Sequence, residues 1–412
     1  MLKKMVCILV SAMVFNLGTF AAETPAKIET VEQALAWLKS TSTRMIQESR
    51  RAMADGTAAF PPQVGPGYEA FWLRDYAYML EGNPGAFENQ DLLNACRLFV
   101  QSIREDGAGV DCVKFDGTPI YKPGMGSMGE NPVADGSQFT IKVAWLTYQK
   151  TGDKELILEI IGRLVSCLKA CPRHPESGLV YIDPAREYDR CPYGFTDTVR
   201  MKGETLFCSL LFVEAARELA DLLRVVERHE EAEEWLAESR RVAAQIRLVF
   251  WDDAIGLFRA ATVQCKEPDI WGSAYAVYTG VAGAEQSKRV AAYLADHYSE
   301  LTQHGQVRHT PAGVYWETAG PRDEYQNGGY WATPAGWFAY TLNLADPGQA
   351  DRMIIELVND LQKRHCPEWI FNNRTQLPGY NASASLPIAG IEKMLRYREA
   401  QAGKAGIPEI HH

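Results

Sequence analysis

The chain has 412 residues, of which 46% are apolar and 23% are charged. This composition supplies a packed core and excludes a disordered or low-complexity protein. The formal charge is −10 at pH 7 and Lys and Arg do not cluster, so the sequence predicts no nucleic-acid partner. The 10 Trp and 18 Tyr suit either a large core or a cleft that stacks on flat ligand faces.

The first residues have the layout of a secretory signal peptide. Lys3 and Lys4 precede an apolar run over residues 5–15, and small residues follow it. That run is well short of the ~20 residues that a membrane-spanning helix needs. We therefore expect a signal peptide over residues 1–22, no membrane span, and an exported protein that is periplasmic or secreted.

Apolar residues recur with a period of 3.6 in twelve segments, which predicts a helical protein. Short links, TGD at 151–153 and ADPG at 345–348, predict antiparallel helical hairpins. Six such hairpins in a ring would form an all-α (α/α)6 toroid with one domain over residues 28–405. The predicted helices are 31–54, 72–82, 88–104, 137–151, 154–170, 203–224, 228–249, 270–281, 285–298, 332–344, 346–363 and 383–402.

Long segments without helical spacing separate several of these helices. They are rich in Gly, Pro, Asp and aromatic residues, and loops of this length in a compact domain are usually functional. We expect them to gather on one face of the ring, decorated by small β-hairpins. The segments are 107–136, 172–202, 250–269 and 303–331.

Two candidate groups lie at the starts of predicted helices. Arg74 and Asp75 follow Trp72 in FWLRDYAYMLEG, where an acid can simply complement the helix dipole or can grip sugar hydroxyls. In YGFTDTVRMKGETLF, Glu204 suits a first helical turn, whereas Asp197 precedes the helix among aromatic residues. A carboxyl group in such surroundings can have a raised pKa and act as a general acid.

Two further segments combine carboxylates with aromatic residues. Residues 314–337 hold Glu317, Glu324 and Gln326 among six aromatics, a density that favours a carbohydrate cleft over a core. Glu368 stands beside Trp369 in the loop before the last helix and, taken alone, is an ordinary loop acid.

Several other chemistries have no support in the sequence. The chain contains no metal-ligand cluster, GxxxxGK[ST] loop or G-x-S-x-G elbow. Its one GxGxxG string, at 124–129, lies inside a long non-helical segment and does not open a predicted helix, as a dinucleotide-binding fingerprint would. We therefore predict no metal, no cofactor, and neither nucleotide nor serine-hydrolase chemistry. The cysteines after the leader are scattered and are expected to be mainly buried.

Together the four segments resemble the six-hairpin glycosidases, in particular the alkaline/neutral invertases and the processing α-glucosidase I family. WLRDYAYMLEG resembles their RD element, and GFTDTVRM is similar to the loop that carries their acid aspartate. YQNGGYWATPAGW resembles their Y-x-N-G-G-x-W and YW-x-x-P-x-W elements. PEWIFNNRTQLPGYNASASLPIAGI is similar to their final segment, which carries the base. The order of the segments matches along nearly the whole chain.

The resemblance implies an inverting glycoside hydrolase with Asp197 as general acid and Glu368 as general base. Carboxyl groups about 6.5–9.5 Å apart would serve that mechanism. Gln326 replaces the histidine of the invertase Y-H-N-G-G element, and the acid motif also departs from both families, so the substrate is left open. The expected substrate-binding residues, which would form a dead-end pocket for exo-acting cleavage of an oligosaccharide or glycoside, are Trp72, Arg74, Asp75, Glu317, Glu324, Gln326, Tyr330, Trp331, Trp337 and Trp369.

Three alternatives stay open at this point. An unsaturated-uronide hydrolase on the same fold would protonate a double bond without Glu368. A non-catalytic glycan-binding toroid would keep the cleft and lose the chemistry, and the fold also hosts epimerases and isomerases. The sugar, the linkage, the anomer and the oligomeric state are not fixed by the sequence.

Overall fold

The structure, a computed structural model, describes residues 26–126, 131–186 and 191–405. The predicted signal peptide lies outside the described residues. Twelve long helices and one short helix, α10, follow one another along the described chain. They are α1 (Val31–Ser49), α2 (Leu73–Gly82), α3 (Asn89–Gln101), α4 (Gly136–Thr151), α5 (Lys154–Lys169), α6 (Leu206–Val225), α7 (His229–Val249), α8 (Ile270–Tyr278), α9 (Ala284–Asp296), α10 (Tyr298–Leu301), α11 (Ala335–Leu342), α12 (Pro347–Arg364) and α13 (Asn381–Ala405).

The long helices alternate between an inner and an outer layer. The inner helices α2, α4, α6, α8, α11 and α13 contact one another in that order, and α13 returns to contact α2. The outer helices α1, α3, α5, α7, α9 and α12 pack against them. This closed double ring confirms the predicted (α/α)6 toroid, and each of the twelve predicted segments overlaps one of its helices.

Local sequence signals explain where the hairpin links turn. Helix α4 ends at Gly152, which adopts a left-handed conformation (φ 68°) that costs glycine little. The side chain of Asp153 then caps α5 by accepting from the Leu156 amide at 2.8 Å. At the other predicted link, Asp346 caps α12 in the same way, with Pro347 at its first position. Both links therefore contain residues that end one helix and begin the next.

Burial explains which helices lie inside. Every residue of α8 is buried, and α6 is buried along most of its 20 residues. Outer helices such as α12 instead carry one apolar face and one charged face. Because an all-round apolar helix must be enclosed by others, these sequences favour the inner ring. Along the described part of the chain, every helix is too short or too polar to cross a membrane.

Short antiparallel sheets lie on the face where the inner helices begin. All inner helices run in the same direction, since each is separated from the next by one antiparallel outer helix, and strands stand just before α2, α6 and α11. The sheets are β1 (Arg51–Ala52) with β2 (Ala58–Ala59); β3 (Ala70–Trp72), β4 (Cys112–Lys114) and β5 (Pro119–Ile120); β6 (Tyr181–Ile182) with β7 (Gly203–Glu204); β8 (Trp251–Asp252) with β9 (Leu257–Phe258); and β10 (Thr302–Gln303), β11 (Gln306–Arg308), β12 (Tyr330–Trp331), β13 (Trp369–Phe371) and β14 (Arg374–Gln376).

Glycines allow neighbouring inner helices to touch backbone to backbone. A Cβ atom at Gly390 of α13 would fall well inside contact distance of the Gly336 backbone of α11. A Cβ atom at Gly82 of α2 would collide in the same way with the carbonyl group of Ser385 of α13. Helix α13 is therefore held on both sides by close approaches that only glycine permits.

We expect Gly390→Ala to destabilise the protein by ~2 kcal/mol or more, because the added methyl group forces α13 away from α11. Gly162→Ala on outer helix α5 is the matched control, since a Cβ atom there meets nothing within 4 Å. That control should be neutral or stabilising by about 0.5–1 kcal/mol. Thermal or urea unfolding monitored by circular dichroism measures both, and equal stabilities of the two variants would contradict the proposed close packing.

Candidate active site

A small cavity opens on the face where the inner helices begin. Its walls combine three carboxylates, one guanidinium group and five aromatic side chains from segments that are far apart in the sequence. The lining residues are Tyr68, Trp72, Arg74, Asp75, Phe195, Asp197, Tyr325, Glu368 and Tyr380. Asp197 and Glu368, which the sequence analysis proposes as acid and base, therefore line one cavity.

Asp197 follows a 3-10 turn over Gly194–Thr196 and is held by Gln326. The side-chain amide of Gln326 donates to Oδ1 of Asp197. The oxygen of that amide accepts from the backbone N–H and the hydroxyl of Thr198, at 2.9 and 2.6 Å, which fixes the amide in the donating orientation. Gln326 thus positions the carboxylate of Asp197.

Glu368 is positioned by the five-stranded sheet. Its backbone N–H donates to the carbonyl groups of Gln376 and Leu377, at 3.0 and 3.1 Å, where β13 turns back into β14. The hydroxyl of Tyr68 donates to its Oε1 at 3.3 Å. The side chain is only 3% exposed, so the carboxyl group sits in a largely water-free wall of the cavity.

The pKa values of both carboxyl groups are high. Burial raises the pKa of Asp197 to about 7, and burial together with the charges of Asp197 and Asp75 raises the pKa of Glu368 to about 8. The hydrogen bonds from Gln326 and Tyr68 act in the opposite direction. With such pKa values, each carboxyl group can be protonated or ionised near neutral pH, the condition that acid–base catalysis requires.

Arg74 is bound on its far side by two buried carboxylates. Its Nε donates to Asp135 at 3.0 Å, and its Nη2 donates to Asp111 at 2.7 Å and to Asp135 at 3.2 Å. The pairing of β3 with β4, which places Trp72 opposite Cys112, brings Asp111 next to Arg74. Asp135 stands directly before α4.

Asp75 is the third carboxylate of the cavity. The hydroxyl of Tyr380 donates to its Oδ1 at 2.5 Å, and burial raises its pKa. Tyr380 precedes α13 and Asp75 lies in the first turn of α2, so this bond ties the last inner helix to the first.

Aromatic groups form the remaining walls. Tyr68 meets Trp72 edge to face, with ring centroids 6.1 Å apart. The indole N–H of Trp72 is buried and has no hydrogen-bond partner among the described residues. Phe195 stacks on Tyr78 at 5.5 Å. Such walls cover the apolar face of a sugar ring, and the indole N–H offers a donor for a hydroxyl group.

Other predicted binding residues lie in the core. Trp331 and Trp337 are fully buried, with exposed fractions of 0%. Trp331 packs between Phe195 and Tyr325, and its indole N–H donates to the Tyr325 carbonyl at 3.1 Å. Trp331 therefore supports two lining residues through packing, whereas the ring of Trp337 packs in the core against Tyr78, Phe207, Tyr275 and Tyr278.

Four more predicted binding residues lie outside the cavity lining. Glu317 is exposed and accepts from the Cys265 amide at 3.1 Å, and Glu324 pairs with Arg374 at 2.6 Å. Tyr330 stacks on Phe371 at 6.3 Å. Trp369 is buried beneath the guanidinium group of Arg374. These contacts join loops and strands to one another outside the lining of the cavity.

Four further residues line the cavity without having been predicted as site residues: Tyr68, Phe195, Tyr325 and Tyr380. Phe195 and Tyr325 lie within two residues of Asp197 and Gln326, so proximity to a candidate could have identified them. Tyr68 and Tyr380 carry no comparable local signal. Across residues 26–126, 131–186 and 191–405, no three His, Cys, Asp or Glu side chains are arranged to hold a metal ion.

Comparisons with known proteins bear on the fold. No family model and no curated protein matches the sequence. The structure is similar to the GH63 mannosylglycerate hydrolase from Thermus thermophilus in complex with glucose, with a TM-score of 0.62 and 16% identity over 86% of this chain and 99% of that chain. It is also similar to a rhamnosidase from Klebsiella oxytoca with rhamnose bound, with a TM-score of 0.63 and 13% identity over 90% of this chain and 66% of that chain.

A third similar structure is the GH78 family rhamnosidase of a Bacillus species, with a TM-score of 0.61 and 17% identity over 89% of this chain and 35% of that chain. The TM-scores show a common fold, and at identities this low the similarity shows the fold alone. The predicted resemblance to six-hairpin toroid glycosidases is confirmed at the level of the fold.

The buried carboxyl group of Glu368 should make stability fall as pH rises. Its folded pKa of about 8 exceeds the ~4.3 of an unfolded Glu. The contribution is therefore fully present below pH ~4.3 and is lost as pH rises through the folded pKa. Glu368→Gln removes this loss, so it should raise the free energy of unfolding relative to wild type by about 1 kcal/mol or more at pH 9 and by little at pH 4.5. Unfolding curves at both pH values measure the difference, with the exposed Glu399→Gln as control. A pH-independent difference would contradict the buried, uncompensated state of Glu368.

Proposed function

We propose that the protein is an exported glycoside hydrolase that cleaves by inversion and acts on chain ends. The observation that carries the proposal is the cavity in which Asp197 and Glu368 stand together, both buried, with pKa values of about 7 and about 8. Aromatic walls and hydrogen-bonding groups complete a surface suited to one sugar ring. The similar structures, a mannosylglycerate hydrolase and rhamnosidases, support the same class of chemistry.

In this mechanism one carboxyl group protonates the departing glycosidic oxygen while the other, as a carboxylate, removes a proton from the attacking water. We assign Asp197 as the acid and Glu368 as the base, following the resemblance of their segments. Burial and charge alone give Glu368 the higher pKa. A bound glycoside favours the opposite order of the two pKa values. Its glycosidic oxygen accepts a hydrogen bond from protonated Asp197, while the attacking water donates one to ionised Glu368.

Exo-action is proposed from the shape of the site. The lining residues come from the starts of inner helices and from the loops around them, and the fully buried Trp331 packs against two of them, Phe195 and Tyr325. A cavity with a closed end receives a terminal sugar. Export rests on Lys3, Lys4 and the apolar run that follows.

The experiment that tests the function is digestion of a panel of neutral oligosaccharides and aryl glycosides, with products followed by proton NMR. We expect early release of a monosaccharide or a short fixed unit, with the anomeric configuration opposite to that of the substrate. Retention of configuration would remove the inverting assignment, and random internal cleavage would remove exo-action. No cleavage across the panel would leave the non-catalytic glycan-binding alternative.

Conservative variants separate the roles of the two carboxyl groups. Asp197→Asn and Glu368→Gln should each lower turnover of an unactivated glycoside by ~10²-fold or more. On a glycosyl fluoride, whose leaving group needs little protonation, Asp197→Asn should recover much of its activity and Glu368→Gln should not. Steady-state kinetics on both substrates measures this, with Asp116→Asn and Glu399→Gln at exposed positions as controls. Recovery by the Glu368 variant alone would reverse the roles, and full activity of either variant would remove that residue from the mechanism.

A further inference from the structure

Acidic side chains outnumber basic ones among the described residues that line the cavity. Among its nine lining residues of the described chain, Asp75, Asp197 and Glu368 carry carboxyl groups and Arg74 carries the single positive charge. An arginine in a sugar site ordinarily suggests a receptor for an acidic sugar, since guanidinium groups bind carboxylates in pairs of hydrogen bonds.

The positive charge of Arg74 is already offset by two neighbouring carboxylates. Its Nε and Nη2 donate to Asp135 and Asp111 at 2.7–3.2 Å. The exposed fractions of Asp111 and Asp135 are 1% and 0%, so water does not screen these interactions. One guanidinium group and two carboxylates leave this triad with a formal charge of −1 when all are ionised.

The backbone fixes this pairing. Asp111 directly precedes β4, and its carbonyl group accepts from the Leu73 amide at 3.2 Å, one residue before Arg74. Asp135 lies at the start of α4, where its carbonyl group accepts from the Phe139 amide at 3.1 Å. Because both acids are anchored by main-chain hydrogen bonds, Arg74 cannot turn toward an anion without leaving buried carboxylates without a cation.

A carboxylate on a bound sugar would therefore meet three carboxyl groups and, among the described lining residues, no cation other than Arg74, which already pairs with Asp111 and Asp135. It would lose its hydration and lie beside an excess of negative charge, because the charge of Arg74 is already offset by two carboxylates. A neutral hydroxyl group meets no such penalty, and an ammonium group would be attracted. The raised pKa values of Asp75, Asp111, Asp197 and Glu368 agree with a buried site that already disfavours negative charge.

We propose that Asp111 and Asp135 are specificity-determining residues that cancel the charge of Arg74, so that the cavity accepts uncharged or cationic sugar units and rejects sugars bearing a carboxylate. This inference deepens the proposed function and rests on it. It favours hydrolysis of neutral glycosides over the unsaturated-uronide alternative, whose substrate carries a carboxylate.

The test compares matched pairs of monosaccharides that differ at C6. Glucose, mannose and galactose are each titrated against the corresponding uronic acid at pH 8 by NMR, and glucosamine is included as the cationic probe. For the sugar that binds, we expect its uronate to bind at least ~10-fold more weakly, a difference of about 1.4 kcal/mol. A uronate that binds as tightly as its neutral partner would overturn the charge selection while keeping a sugar site. Absence of binding by every probe would count against the proposed function itself.

The role of Asp111 is tested by Asp111→Asn, which keeps an acceptor for Arg74 and removes one negative charge. It should reduce the ratio of the uronate's dissociation constant to that of the neutral sugar by about threefold or more. Asp116→Asn, at the exposed turn of the same β-hairpin, removes the same charge away from the cavity and should leave the ratio unchanged. If Asp111→Asn does not fold, the wild-type comparison above still decides whether the cavity rejects a carboxylate, and Asp135→Asn repeats the test of the residue's role. A folded Asp111→Asn protein with the wild-type ratio would show that Asp111 does not set the selection.

Discussion

The contact between the last inner helix and the first holds the whole arrangement together. Helix α13 touches α2 on one side and α11 on the other, and glycines at 82, 336 and 390 let the backbones meet. Without this closure the inner helices would expose apolar faces that no outer helix covers. The candidate site depends on the same closure, because Tyr380 and Asp75, which share a hydrogen bond, stand at the beginnings of the two joined helices.

Closure also explains why the site can be so dry and so rich in carboxyl groups. The inner helices bring their N-terminal ends to one face, where the positive ends of their dipoles favour negative charge. Strands and loops then cover that face and remove water from Asp197 and Glu368. The high pKa values arise because loss of hydration outweighs the hydrogen bonds that each carboxyl group receives. The fold thus accepts a local loss of stability at the position where acid–base chemistry is proposed.

Helical periodicity and the signals at helix ends were sufficient to predict the helices, and the short links between them predicted antiparallel hairpins that could close into a ring. Sequence patterns also selected the segments that carry Trp72, Arg74, Asp75 and Asp197. Glu368 was selected by the resemblance of its segment to the six-hairpin glycosidases, and all five residues line the cavity. The same patterns could not separate Trp331 and Trp337, which are core residues, from wall residues, because an aromatic motif suits both roles. Tyr68, Tyr380 and the partners of Arg74 depend on strand register and helix placement over long sequence separations, which no local pattern encodes.

The hydrogen bonds of the site span most of the chain: Tyr68 meets Glu368 across 300 positions and Asp75 meets Tyr380 across 305. Contacts of such separation form late in folding, after loop-closure entropy has been overcome. A growing chain that stops before residue 368 has neither Glu368 nor α13, and so has no complete cavity. Because synthesis reaches α13 last, Asp197 and Glu368 can come together only after α13 can contact α2. Any chain kept unfolded, as for passage across a membrane, lacks the assembled site until that contact forms.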